Sequence, residues 1–213
     1  MNTPIDIATK LIKLNEGLGF EVYPCKAGYL TFGYGTNLEV VDGVFEGKTS
    51  KRYIDFTKGV EPAIREIESI NSKDKQALAE DFASLEIINC KRALNTQKWF
   101  TENLSNFQQA IILDLAYNIG VAGVLQFKKM IAAIQQRNYG IAGTEMLDSK
   151  YHCQMICFGY EDELAVAGID ISNRVKVFSW YNDLDEDYKQ LRSASNSLSL
   201  QVDRPLGKYK GLF

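Results

Sequence analysis

The chain reads as an α+β protein, mainly α, and three stretches of its 213 residues carry that reading. Residues 20 to 38 alternate aromatic and β-branched side chains with glycine, which suits a short twisted hairpin or small sheet. Residues 73 to 94 place Leu78, Phe82, Leu85 and Ile88 in one apolar stripe at helical spacing. Residues 106 to 118 are apolar nearly all round, as a helix buried inside a lobe would be.

The elements follow in order. Thr3-Pro4-Ile5-Asp6 opens a helix, with Thr3 as cap, Pro4 at the first helical position and Asp6 at the positive end of the dipole. Ile5, Ala8, Leu11, Ile12 and Asn15 continue at helical spacing, and Gly17 and Gly19 stop the helix near Glu16. Residues 39 to 60, with Asp42-Gly43 and Glu46-Gly47, read as turns or short strands. A short helix is expected from Pro62 to Ile70, with Ile64, Ile67 and Ile70 on one side. Ser72 reads as the cap of the helix over 73–94, and Ser105-Asn106-Phe107-Gln108 as a capping box. Further helices are expected at about 124–137, 139–148 and 172–181. Ser193 to Ser199 is serine-rich and reads as a mobile tail, although Leu206, Tyr209, Leu212 and Phe213 offer apolar groups that could pack back.

Composition narrows the function. Hydrophobic residues make up 46% and charged residues 24%, an ordinary globular balance. A net charge of −3 argues against nucleic acid as the main partner, because phosphate binders present a basic face. No stretch reaches the ~18 apolar residues read as a membrane span. Met1 to Asp6 lacks the basic and long apolar segments of a secretory signal, so synthesis in the cytoplasm is expected. Cys25, Cys90, Cys153 and Cys157 are spread along a chain too large to need a disulfide framework, and reduced thiols are expected. His152, Cys153 and Cys157 form a poor zinc pattern with no evident fourth ligand, so no metal and no cofactor is expected. His152 is the sole histidine, which leaves no Ser/His/Asp arrangement to consider.

The chemistry concentrates near the N-terminus. Glu16 ends a helix; eight residues later comes Cys25, and five after that Thr31, in a run of tyrosines and glycines. A lone carboxylate is ordinarily a solvated surface group. One that closes a helix against a glycine-rich hairpin is a candidate acid. A thiol beside it is a candidate nucleophile or base, against the plain alternative of a half-buried structural cysteine. Lys26, if it points inward, would favour the thiolate. Thr31 is either a β-branched strand residue or a hydroxyl that holds water. Tyr34, Tyr117 and Asn118 could line a cleft, and Arg174 is either a surface charge or part of the site.

These residues resemble the signature of the phage-type lysozymes, glycoside hydrolase family 24. Glu16-Gly17, Cys25 and Thr31 stand at the family's spacing, with Cys25 where many members have Asp. The similarity continues through Phe107 to Ala110, Ala116 to Gly120, Val121 to Gly123, Phe127, Asp148 to Tyr151, Gly168-Ile169 and Ser172 to Arg174, so it covers residues 5 to 190 in order. Residues 38–60 and the tail after 190 fall outside it. The resemblance implies a lysozyme-like two-lobe fold: one domain over 1–190, with a β-containing lobe at about 13–72, a bridging helix at about 73–94, and a helical lobe at about 95–190 on which the first helix packs. Residues 191–213 would be a C-terminal extension.

The resemblance also implies a peptidoglycan muramidase that cuts between N-acetylmuramic acid and N-acetylglucosamine, acting as a phage or prophage endolysin. Glu16 would be the general acid, Cys25 and Thr31 would handle the nucleophile or water, and Arg174 would orient Glu16. Such an acid must keep its proton near neutral pH, which burial against apolar neighbours would favour. The expected partner is the glycan strand, with no nucleic acid and no membrane span, bound by a monomer. The protein would be made in the host cytoplasm and released to the wall by another factor. Two alternatives stand: a lytic transglycosylase using Glu16 alone, and a non-catalytic wall-binding or phage structural module on the same fold.

Overall fold

The computed structural model describes residues 3–25, 27–184, 191–205 and 207–211. It is mainly helical with two small antiparallel sheets, the expected α+β class. The chain divides into two compact units, Met1–Arg92 and Ala93–Phe213. Lys26, Leu206, Leu212 and Phe213, each given a part in the sequence reading, lie outside the described residues.

The first unit opens with helix α1 (Pro4–Glu16), closed at its start by a reciprocal Thr3/Asp6 capping box. α1, expected on the C-terminal lobe, is grouped here, where Lys13 pairs with Glu80 at 2.7 Å. Strands β1 (Gly19–Pro24), β2 (Leu30–Gly33) and β3 (Thr36–Asn37) form a sheet in sequence order, with Tyr23 opposite Thr31. The stretch after it, read as turns or short strands, forms a 3₁₀ turn (Leu38–Val40) and a hairpin of β4 (Val44–Glu46) and β5 (Tyr53–Asp55). The loop between β4 and β5 is tied down by Asp81, whose carboxylate accepts from the backbone N–H of Thr49 and Ser50 and from the Ser50 hydroxyl.

Helices α2 (Val60–Glu68) and α3 (Ser72–Leu94) complete the unit. Asn71, rather than Ser72, caps α3 by accepting from the Asp74 N–H at 3.0 Å. Phe82 of α3 is the hub of the core. Phe45 stacks on it with centroids 4.0 Å apart, and Phe32 and Phe56 meet it edge-on at 6.2 Å.

The second unit carries α4 (Lys98–Asn103), α5 (Asn106–Val124), α6 (Lys128–Gln135), α7 (Tyr139–Leu147), α8 (Lys150–Gly159), α9 (Glu161–Val166), α10 (Arg174–Asn182) and α11 (Arg192–Val202). α5 is the expected core helix: Ala110 to Tyr117 are all buried. Among the described residues it is long and apolar enough to cross a membrane by length and composition, contrary to the expectation of no such stretch. More than half of it, 56% of that window, is buried in the unit, as befits a core helix. Gly120, at φ 73°, breaks its regular path.

The serine-rich tail is the main departure. Residues 192–202 form α11, and Ser193, Ser195, Ser197 and Ser199 are fully buried. Small side chains let α11 lie close against α7, where Ser197 donates to the Gly143 carbonyl at 2.8 Å. Ser195 accepts from the Lys208 N–H, and Ser193 bonds His152 Nδ1 at 2.7 Å. Each of these hydroxyls is satisfied inside the unit, so a polar composition does not keep the helix in solvent. Residues 192–202 and 207–209 therefore pack within the second unit. Tyr209 packs back as expected, fully buried, with its hydroxyl on Asn196 at 2.7 Å.

Candidate functional site

Local sequence places the first three candidates together. α1 ends on Glu16 because Gly17 takes φ 68°, which a side chain disfavours. The chain turns into β1, crosses the tight connection 25–29, and returns along β2. That connection is closed by Cys25 N–H to Tyr29 O at 2.9 Å and Gly28 N–H to Cys25 O at 2.8 Å. Beyond β2, Gly35 passes directly behind the acid: a Cβ built there would sit 3.6 Å from Glu16 Oε2. Glu16 itself is exposed, so burial against apolar neighbours, the expected means of holding its proton, is not how this residue sits.

Cys25 is half-buried at the end of β1. Partial burial acts to raise its thiol, but the backbone N–H groups of Ala27, Tyr29 and Gly28 and the Thr31 hydroxyl act on the sulfur. The balance holds the thiol below its ordinary value. The cradle is made by the turn itself, because Gly28, at φ 87°, lets consecutive N–H groups face inward. Thr31 is buried at 3% exposure and donates to the Tyr29 carbonyl at 2.9 Å, so it braces the turn as well as facing the sulfur.

Sequence reasoning passed over Tyr23. Its phenol is pushed up by burial and then by the charges of Glu16 and Cys25, so it stands in the field of both. Its register position opposite Thr31 in the hairpin was the available signal. Tyr34, expected in a cleft, is instead buried at 4%, with Lys13 Nζ 6.0 Å from its ring centroid. The β2–β3 turn points this ring inward.

The other candidates lie in the second unit. Tyr117 is buried on α5 and Asn118 beside it is half-buried. Arg174 is exposed at the first position of α10, after the Asn173 cap. It donates to Asp148 at 3.2 Å and lies 5.5 Å from the Phe178 ring centroid. Arg174, Asp148, Lys150 and Tyr151 line a groove of about 590 Å³ with Phe127. His152 turns to Ser193 and stacks near Phe178 and Tyr181. Among the described residues, no group of three or more His, Cys, Asp or Glu side chains could hold a metal.

Comparison with known proteins adds the family. The profile described as phage lysozyme matches residues 13–159. The probable T4-type lysozyme 1 of Dictyostelium discoideum is 26% identical over 148 residues, covering 68% of this chain and 84% of that protein. The matched stretch takes in Glu16, Cys25, Thr31, Tyr34, Tyr117 and Asn118. It stops short of Arg174.

Proposed function

Because this chain belongs to the phage lysozyme family, we propose that it is a glycosidase that hydrolyses peptidoglycan at the β-1,4 bond between N-acetylmuramic acid and N-acetylglucosamine. The observation that carries this reading is the Cys25 turn. Three backbone N–H groups and a threonine hydroxyl favour a negative charge at the position where many relatives keep an aspartate, and the acid Glu16 is close enough for its charge and that of Cys25 both to act on Tyr23.

Such a bond breaks through an oxocarbenium-like centre, with a proton delivered to the leaving oxygen. Glu16 gives that proton. The Cys25 thiolate faces the developing cation and either attacks the anomeric carbon or takes a proton from the attacking water. Attack gives retention; water activation gives inversion. Thr31 keeps the sulfur in place. Tyr117, Asn118 and Arg174, all in the second unit, have roles here on family resemblance alone. The biological role we infer is that of a phage or prophage endolysin, made in the host cytoplasm and brought to the wall by another factor.

The test is a zymogram and a turbidity assay on purified walls. Wild type should clear them, and Glu16→Gln should fold and retain under about a tenth of the rate, since general acid catalysis is worth about 10²–10⁴. Mass analysis of the digest should find reducing ends. Anhydromuramic ends would instead make the protein a transglycosylase, and an inactive, folded wild type would make it a binding module.

A further inference from the structure

Helix α8 carries two thiols that the proposed activity does not use. Cys153 and Cys157 stand at positions i and i+4, so they share one face of the helix, with Cβ atoms about 5–6 Å apart. Both are free and both are buried, at 7% and 9% exposure. The two thiols hydrogen-bond to each other, and Cys157 Sγ also donates weakly to the Ile171 carbonyl at 3.7 Å. Ile156, Leu164, Val177 and Tyr181 pack with them in one buried cluster, which holds this stretch of α8 in place. Yet both cysteines also border open space. A groove of about 450 Å³ has them in its lining together with Phe158, Ile171, Lys150 and Arg174. Phe158 and Ile171 are 55% and 56% exposed, so the groove offers a small molecule apolar surface beside the sulfurs.

The geometry is selective about what could occupy this pair. A direct disulfide wants Cβ atoms about 3.5–4.5 Å apart, closer than successive turns of a regular helix bring them. A zinc ion wants about four ligands, and among the described residues no group of three or more His, Cys, Asp or Glu side chains is assembled. His152, the neighbour in sequence, is turned to Ser193 and packed near Phe178 and Tyr181. Burial, and then the adjacent Cys153, push the Cys157 thiol up to about 11, so it is neutral near pH 7 and a poor ligand for a cation that needs thiolate. The pair suits a soft centre that condenses with two neutral thiols, bridges a gap too wide for a sulfur–sulfur bond, and carries an apolar substituent.

We propose that Cys153 and Cys157 form a dithiol site for trivalent organoarsenicals, with the organic group lying against Phe158 and Ile171. The step is a condensation with no change of oxidation state. Each thiol gives up its proton to the oxygen of R–As=O, two As–S bonds form, and the oxygen leaves as water while arsenic stays trivalent. Cys157 surrenders its bond to the Ile171 carbonyl. The bridge closes a ring along one turn of α8 and staples the helix.

The probe is phenylarsine oxide, added to the full chain in excess 2-mercaptoethanol, a monothiol that competes arsenic away from single cysteines such as Cys25 and Cys90. Native mass spectrometry should find one phenylarsenic group per chain with two hydrogens lost, and 2,3-dimercaptopropanol should remove it. Trypsin cuts after Lys150 and Arg174, so the adduct should map to the single peptide 151–174 that holds both thiols. Cys153→Ala and Cys157→Ala each leave one thiol, and affinity should fall by about 10²–10⁴, because the second bond is no longer intramolecular. Cys25→Ala combined with Cys90→Ala should bind the probe as wild type does. Loaded wild type should melt above the free protein, since the probe favours the folded pair.

An adduct on another peptide, or an alanine variant that keeps affinity within about threefold of wild type, overturns the site. So does a chain that takes up the probe only after unfolding in urea. The peptide map is read on wild type and stands whether or not the alanine variants fold. None of these readouts depends on wall hydrolysis.

Discussion

Arg192→Leu should unfold the second unit more readily than any surface substitution, and the structure sets the size of the effect. Asp114, in the middle of α5, is fully buried, and Arg192 at the start of α11 is 7% exposed. The guanidinium donates from Nε to Oδ2 at 2.8 Å, from Nη2 to Oδ1 at 2.8 Å, and from Nη2 to the Asp114 carbonyl at 3.2 Å. Asn196 adds a bond to Oδ2 at 2.8 Å and is itself held by Tyr209. Deleting one partner of such a pair strands a buried charge, which costs about 3–5 kcal/mol. Asn196 still reaches Asp114, so the lower part of that range, about 3–4 kcal/mol, is expected. At about 4 °C per kcal/mol for a unit of this size, the melting temperature should fall by about 12–16 °C. Adding Asp114→Asn removes the stranded charge but keeps an acceptor for Asn196, and should recover about 1–3 kcal/mol. Urea and thermal unfolding of the three proteins measure both effects. A single variant that melts within about 3 °C of wild type, or a second substitution that only adds to the loss, would refute the view that this ion pair anchors α11.

Three further outcomes are expected. Cys25→Ala should lose about tenfold or more in wall hydrolysis, roughly 1.4 kcal/mol of barrier, while Cys25→Asp stays active with its optimum at lower pH and resists a thiol-alkylating reagent; wild-type rates for Cys25→Ala across pH 5 to 8 would make the thiol a bystander. Burial lowers the His152 ring to about 4, below the 6.5 of an unfolded histidine. As pH falls from 6.5 towards 4 only the unfolded chain takes this proton, so stability is lost across that window, by up to about 3 kcal/mol; urea titrations at pH 7 and 4.5 should differ less in His152→Gln, and an equal difference would remove His152 as the cause. Gly33→Ala must both adopt φ 67° and push into Ala79, and should cost about 2–4 kcal/mol, partly recovered by Ala79→Gly; circular dichroism melts would expose a neutral substitution.

Local chemistry was legible in the sequence wherever one segment decides its own structure. Thr3 and Asp6 cap α1, Gly17 ends it at Glu16, and the glycine and tyrosine alternation makes the hairpin that carries Cys25 and Thr31. Each depends on contacts within a few residues, so capping, spacing and turn chemistry suffice. The all-round apolar run of α5 likewise announced its own burial. The burial of Tyr34 was not legible, because an aromatic in a glycine turn gives no sign that Lys13 of α1 comes near its ring.

Other features depended on partners far along the chain. Composition marks Ser193 to Ser199 as a solvent-loving tail, yet these hydroxyls are buried because His152, Gly143 and Lys208 come to meet them. The Arg192–Asp114 pair joins residues whose separation in sequence gives no hint of it. Nothing in the sequence marks Glu86 among the charges of α3. Only the folded unit, by burying it in the field of Glu16, makes it a group that holds its proton to about neutral pH. A side chain's proton affinity and a hydroxyl's willingness to leave water are set by what surrounds them, and that surrounding is assembled by the tertiary fold from segments that share no local pattern.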